Sequence, residues 1–87
     1  MTNAALASVV GSVSGVITVL SFIPQAVRAW RSHRTKDLSA GTFILLVVQA
    51  AGWTSYGLLL RQAPLVWTNS CVLVLTLAIL VAKLRNG

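Results

Sequence analysis

Catalytic and metal-binding side chains are almost absent from this chain of 87 residues. It has one carboxylate, Asp37, one histidine, His33, and one cysteine, Cys71. General acid–base work by two carboxylates needs a second acidic residue, and a structural metal site needs about four ligands. The sequence therefore predicts a protein that is not an enzyme and that binds neither a metal nor a cofactor.

Aromatic and amide side chains instead stand inside long apolar runs. Gln49, Trp53 and Tyr56 follow the i, i+4, i+7 spacing of one helical face, and Asn69 lies in the next run. At 1.5 Å per residue, Trp53 and Asn69 come to depths within about 4 Å of each other. An indole face and a carboxamide at one level suit a sugar, which offers an apolar ring face and hydroxyls. The alternative is that Asn69 only joins two helices.

A proline and a glutamine interrupt the first run near its end. Pro24 removes the backbone hydrogen bond to the carbonyl of Leu20, and Thr18 and Ser21 are placed to satisfy that carbonyl. One interpretation is a passive kink. The other is a hinge, because broken helices in transporters lie where the backbone lines a cavity.

Three apolar runs, about residues 6–27, 42–60 and 65–84, must position these side chains. Each approaches the roughly 20 residues that cross a bilayer, and none has the charged face of a soluble bundle helix. Only 9% of the chain is charged, against about 25% in soluble domains. We therefore predict one all-α membrane domain, residues 1–87, with three transmembrane helices. Gly11 and Gly15 form a GxxxG motif, which favours close helix packing within one subunit or between two.

The basic residues predict the orientation of the chain. Six of the seven lie in the 28–36 loop or at the C-terminus, and only Arg61 lies between the second and third runs. The positive-inside rule then places that loop and the C-terminus in the cytoplasm and the N-terminus outside. This distribution argues against nucleic-acid binding, which needs a basic soluble face. Trp30 and Trp67, near run ends, are predicted to lie in the interfacial aromatic belt.

The apolar runs contain no acidic residue or histidine that could relay protons, so the expected transport mechanism is passive uniport. Three helices do not easily enclose a pathway for a solute. Two parallel copies would supply six helices, which is an established transporter plan. The sequence therefore favours a homodimeric carrier.

Two blocks of sequence resemble the PQ-loop signature of the SemiSWEET family. The first is residues 21–25 (SFIPQ) followed by residues 35–39 (TKDLS), and the second is residues 52–57 (GWTSYG) followed by Pro64 and Asn69. The resemblance implies a sugar transporter of the bacterial inner membrane that works by alternating access. It also implies a parallel homodimer of 3+3 helices, in which the third helix of each bundle lies between the first two.

The same resemblance implies a role for particular residues. Trp53 and Asn69 match the pair that contacts the sugar, here of the glucose or sucrose class. Pro24 and Gln25 match the hinge. The expected gate residues are Tyr56 at the outer gate, Phe43 at the inner gate, and the pair Arg61 and Gln62. Relatives often have an acidic residue where Gln62 stands, so we expect the outer gate to close here without an ion pair.

Two other functions remain open from the sequence. A PQ-loop carrier of another small solute, such as an amino acid, usually has seven helices and an acid within the membrane, and this chain has neither. A non-transporting membrane adaptor would use the polar residues of its spans only for helix packing. Replacing Trp53 or Asn69 separates these possibilities, because a carrier loses uptake and an adaptor loses assembly.

Overall fold

The computed structural model describes residues 2–87 as three helices, α1 (Asn3–Ser32), α2 (Ala40–Leu60) and α3 (Ala63–Asn86). By length and composition all three can cross a membrane, which confirms the prediction of three apolar helices of membrane-spanning length. The helices extend beyond the apolar runs, and α1 begins three residues earlier and ends five residues later than 6–27. An apolar run marks only the part of a helix within hydrocarbon, whereas the backbone hydrogen bonds continue into the polar flanks.

The third helix lies between the other two. Helix α3 packs along both α1 and α2, while no Cα atom of α1 comes within 8 Å of one in α2. Helices α1 and α3 run in the same direction and α2 runs opposite to them. We call the end with residues 61–62 the turn end, and the end with residues 33–39 the loop end. This order of helices confirms the arrangement implied by the SemiSWEET resemblance.

A two-residue turn fixes α3 against α2. Arg61 adopts a left-handed backbone conformation (φ 55°), and the N–H of Gln62 donates to the carbonyl of Gly57 at 2.8 Å. This bond satisfies a carbonyl that the end of α2 would otherwise leave free. Pro64 then stands in the first turn of α3, where its missing N–H has no helical partner to lose.

Two glycines allow α1 to approach α3 closely at the turn end. A Cβ atom on Gly11 would lie 3.3 Å from the Cβ of Pro64, and one on Gly15 would lie 3.1 Å from the Cβ of Thr68. The GxxxG motif therefore packs helices within one subunit. The ring of Trp67 also lies against Gly15, so this tryptophan takes part in the α1–α3 contact, and its place in an aromatic belt stays a prediction.

The apolar core lies toward the loop end. Phe43 is buried there against Ala26, Ile79 and Leu80, so all three helices contribute to one cluster. Partly buried side chains of all three helices and of the connecting loop surround it, namely Phe22, Leu38, Ala40, Leu46, Val47 and Leu75. These contacts pack the three helices together toward the loop end.

Three side chains fasten the loop end further, and we call Trp30, Lys83 and Arg85 the clasp. The indole Nε1 of Trp30 donates to the carbonyl of Ala78 at 2.9 Å, and the guanidinium of Arg85 lies 5.5 Å from the Trp30 ring centroid. The ammonium of Lys83 donates to the carbonyl of Thr35 at 2.9 Å. Trp30 therefore joins α1 to α3, a contact that its predicted place in an aromatic belt did not include.

Candidate functional site

A cavity of about 680 Å³, with both polar and apolar lining residues, opens between α1 and α3 at the turn end, and we call it the turn-end cavity. Its polar lining residues are Ser8, Ser14, Thr18, Arg61, Gln62, Thr68 and Asn69. The Nδ2 atom of Asn69 donates to the carbonyl of Leu65 at 3.0 Å. A carboxamide has two N–H donors and a carbonyl acceptor, so Asn69 retains one donor and its acceptor for a solute.

Trp53 and Tyr56 lie in a second, shallower concavity on α2, which we call the aromatic hollow. It measures about 420 Å³, and Gln49 and Gly52 complete its lining. The two rings meet edge to face, with centroids 5.5 Å apart and an interplanar angle of 89°. Trp53 is 48% exposed, and its indole N–H has no hydrogen-bond partner among residues 2–87. The ring lies on the outer surface of α2.

The depths of Trp53 and Asn69 agree, but one protomer does not bring the two side chains into one cavity. Trp53 lies seven residues before the end of α2 and Asn69 six residues after the start of α3, or about 10 and 9 Å from the turn end. Asn69 lines the cavity against α1, whereas Trp53 lines the hollow on α2. Each protomer therefore presents the ring and the amide on two separate surfaces.

Pro24 lies inside α1, with polar side chains on the turn before it. The hydroxyls of Thr18 and Ser21 donate to the carbonyls of Ser14 and Ile17, at 2.9 and 2.8 Å. Our expectation that they satisfy the carbonyl of Leu20 was therefore wrong. A serine or threonine hydroxyl in a helix reaches the carbonyl four residues back, and Leu20 is not at that distance from either.

The residues expected to form the hinge face a cavity at the loop end. Pro24 and Gln25 line about 460 Å³ together with Arg28, Ala29, Arg34 and Leu38. The Nε2 atom of Gln25 donates to the carbonyl of Ser21 at 3.3 Å, one turn before the proline. Phe43, the expected inner-gate residue, is 6% exposed and packs in the core of its own protomer.

The expected outer-gate residues lie at the turn end. Tyr56 is half exposed in the aromatic hollow, while Arg61 and Gln62 line the turn-end cavity. Asp37, the single acidic residue, lies in the loop at the opposite end. The guanidinium of Arg61 thus has no acidic side chain beside it among residues 2–87, because Asp37 lies at the other end of α2.

Three residues that line the turn-end cavity had no predicted part in a binding site. They are Ser14, Thr18 and Thr68, although the hydroxyl oxygen of Thr68 is itself buried. The spacing of Ser14 and Thr18, four residues apart on one helical face, was a signal in the sequence. It could not indicate that this face borders Asn69, because the register of α1 along α3 follows from the Gly11 and Gly15 contacts.

Comparisons with known proteins agree with this architecture. Residues 5–82 match the family described as "Sugar efflux transporter for intercellular exchange". The chain is 34% identical over 82 residues to the sugar transporter SemiSWEET of Bradyrhizobium diazoefficiens, covering 94% of this chain and 95% of that one. It is 30% identical to the SemiSWEET of Leptospira biflexa, covering 92% and 94%. A crystal structure of a bacterial homologue of SWEET transporters superposes with a TM-score of 0.87 at 30% identity, covering 94% of this chain and 99% of the other.

Proposed function

Because the chain belongs to the SemiSWEET family of sugar transporters, we propose that it transports a mono- or disaccharide across the membrane by downhill uniport. Members of this family are named as transporters, which confirms the prediction that the chain is not an enzyme. The absence of an acidic residue or histidine from all three helices supports uniport, because proton-coupled carriers place such a group within the membrane.

The observation on which the proposal most depends is that the polar side chains of one protomer are exposed on incomplete surfaces. The backbones of α1 and α2 stay apart, with no Cα pair within 8 Å, and the turn-end cavity and the aromatic hollow are both open grooves. Polar groups facing hydrocarbon would be costly, so these surfaces need a partner or water. A parallel homodimer of 3+3 helices would enclose both grooves around one central pathway.

Within this dimer, Trp53 and Asn69 of both protomers would form the sugar site. Their equal depth would place two rings and two amides in one layer across the pathway. The unpaired indole N–H of Trp53 and the remaining donor and acceptor of Asn69 would exchange hydrogen bonds with sugar hydroxyls. A neutral sugar also gives up its hydration, so millimolar affinity, about −4 kcal/mol, is expected.

Alternating access would use the proline of α1 as its hinge. Bending at Pro24 and Gln25 would move the two halves of α1 relative to each other. Phe43 would contribute to inner closure through the core that holds α1 on α3. Tyr56 would close the outer side together with Arg61 and Gln62.

The charge distribution supports a location in the bacterial inner membrane. The loop end, which holds the 28–36 loop and the C-terminus, would face the cytoplasm, because six of the seven basic residues lie there. The N-terminus and the turn end would then face outward. In this orientation the turn-end cavity opens away from the cell interior.

The test is uptake of radiolabelled glucose and sucrose by liposomes that contain the purified protein, with no ion gradient imposed. Wild type is compared with Trp53→Ala, Asn69→Ala and the conservative Trp53→Phe, which keeps a ring for stacking. We expect uptake down the sugar gradient, loss in both alanine variants and partial retention in Trp53→Phe. Absence of uptake from folded, dimeric wild type would shift support to another PQ-loop solute. Loss of dimer assembly in the alanine variants would favour the adaptor.

A further inference from the structure

The turn-end cavity has a second polar wall, opposite Asn69, that no part of the proposed sugar site uses. This wall is a face of α1 on which Ser14 and Thr18 stand one turn apart. The cavity volume of about 680 Å³ lies within the range of small-molecule sites. The Ser14 hydroxyl makes no side-chain hydrogen bond within residues 2–87, and hydrocarbon cannot pair it, so at membrane depth it needs water or a polar solute. The Thr18 hydroxyl, whose proton is already used, still offers its oxygen as an acceptor.

The contacts of the two glycines place this wall level with Asn69. Gly11 contacts Pro64 and Gly15 contacts Thr68, so a residue of α1 lies level with the residue of α3 whose number is 53 higher. Asn69 is therefore level with residue 16, midway between Ser14 and Thr18. Each of these two residues lies about 3 Å from that level along the helix axis. One sugar ring at the height of Asn69 can reach both walls.

The hydrogen bonds already made determine what each side chain still offers. The Thr18 hydroxyl donates a hydrogen bond to the carbonyl of Ser14 at 2.9 Å, so toward the cavity its oxygen can only accept. Asn69 retains one N–H donor and one acceptor after its bond to Leu65. The Ser14 hydroxyl makes no side-chain hydrogen bond within residues 2–87 and can both donate and accept.

We propose that Thr18, with Ser14 beside it, forms a specificity-determining part of the sugar site, in which Thr18 accepts a hydrogen bond from one sugar hydroxyl. The proposal rests on the proposed transport function and adds to it a donor requirement on the substrate. At one ring position the sugar must carry a hydroxyl that donates a proton. A fluorine at that position accepts but cannot donate, so it should be no better than hydrogen.

The test combines variants with sugar analogues in the same liposome uptake assay. Thr18→Val removes the hydroxyl at equal size, and Thr18→Ser restores it. Thr54→Val is the matched control, because Thr54 also donates to the carbonyl four residues back, that of Ala50 at 2.8 Å, but does not line the cavity. Competition by 2-, 3-, 4- and 6-deoxyglucose, and by the matching fluorodeoxy sugars, shows which sugar hydroxyl donates to the protein.

We expect Thr18→Val to lower glucose uptake below saturation by about threefold to tenfold, the effect of one neutral hydrogen bond, with Thr18→Ser and Thr54→Val near wild type. At one ring position, the deoxy and the fluorodeoxy sugar should both compete with glucose more weakly than glucose itself does in wild type, by a similar factor of about threefold to tenfold. Thr18→Val should lose this discrimination. If the protein takes up hexoses and Thr18→Val discriminates among the analogues as wild type does, the inference is overturned and the transport function stands. Absence of both glucose and sucrose uptake by wild type would overturn both.

A second measurement does not depend on transport rate. Thr18→Cys in a Cys71→Ser background places a single thiol on the cavity wall. We expect glucose to slow its alkylation by a small maleimide, and an equal osmolarity of betaine to leave the rate unchanged. Equal rates with and without glucose, in protein whose uptake is active, would contradict contact between the sugar and Thr18.

Discussion

Replacing Gly15 by alanine tests the α1–α3 contact that sets the register of the turn-end cavity. The new Cβ would lie 3.1 Å from both the Cβ of Thr68 and the ring of Trp67, and it would overlap the Thr68 hydroxyl oxygen. Ordinary carbon contacts begin near 3.5 Å, so α1 must move away from α3. Such overpacking costs about 1–3 kcal/mol. We expect a lower free energy of unfolding, measured by titration with a denaturing detergent in mixed micelles.

Gly52→Ala is the matched control, since a Cβ there meets no atom within 4 Å. Both substitutions gain about 1 kcal/mol of helix propensity, so this gain cancels when the two variants are compared. The difference between Gly15→Ala and Gly52→Ala therefore isolates the clash. Adding Thr68→Ala should recover part of the loss, because it removes a buried hydroxyl that has no partner within the described residues. Equal stability of the two alanine variants would refute the close contact.

Further predictions concern the clasp and the outer gate. Trp30→Phe keeps a ring beneath Arg85 but removes the donor to Ala78, and Lys83→Met removes the donor to Thr35. Each change should lower the free energy of unfolding by about 1 kcal/mol, and an unchanged thermal midpoint would argue against the bond concerned. With no acidic partner for Arg61, uptake of a neutral sugar should change by less than about twofold between roughly 20 and 500 mM salt. Gln62→Glu should make uptake depend on salt, and a strong salt effect already in wild type would contradict this account.

The sequence predicted the three membrane helices well, because membrane insertion depends on the length and polarity of each run and hardly on its neighbours. The common depth of Trp53 and Asn69 followed from counting residues, because the rise per residue of each helix is also independent of its neighbours. Their separation onto two grooves did not follow, because the direction of a side chain around its helix acquires meaning only when the neighbouring helix is known. The central position of α3 came from the family resemblance and not from the pattern of residues.

Contacts between helices were the least predictable part of the structure. Trp30 has the residue type and the position of an interfacial aromatic. Its indole N–H nevertheless donates to the carbonyl of Ala78, which is 48 residues away in the sequence. Such a bond depends on the register of α1 along α3. The glycine spacing indicated close approach, but only the structure shows that Gly15 faces Thr68. Ser14 and Thr18 became candidates for the site through that same register.

The two halves of α1 are held to α3 by different forces, and Pro24 stands between them. Toward the loop end, Ala26 and Ala29 are buried and Trp30 is hydrogen bonded, so separation there would break polar bonds as well as packing. Toward the turn end, the glycine contacts are van der Waals contacts beside an open polar cavity. A bend at Pro24 therefore costs less when the turn-end half of α1 moves. Because that half holds Thr18, the movement that opens the proposed pathway would also change the distance between the two polar walls of the proposed sugar site.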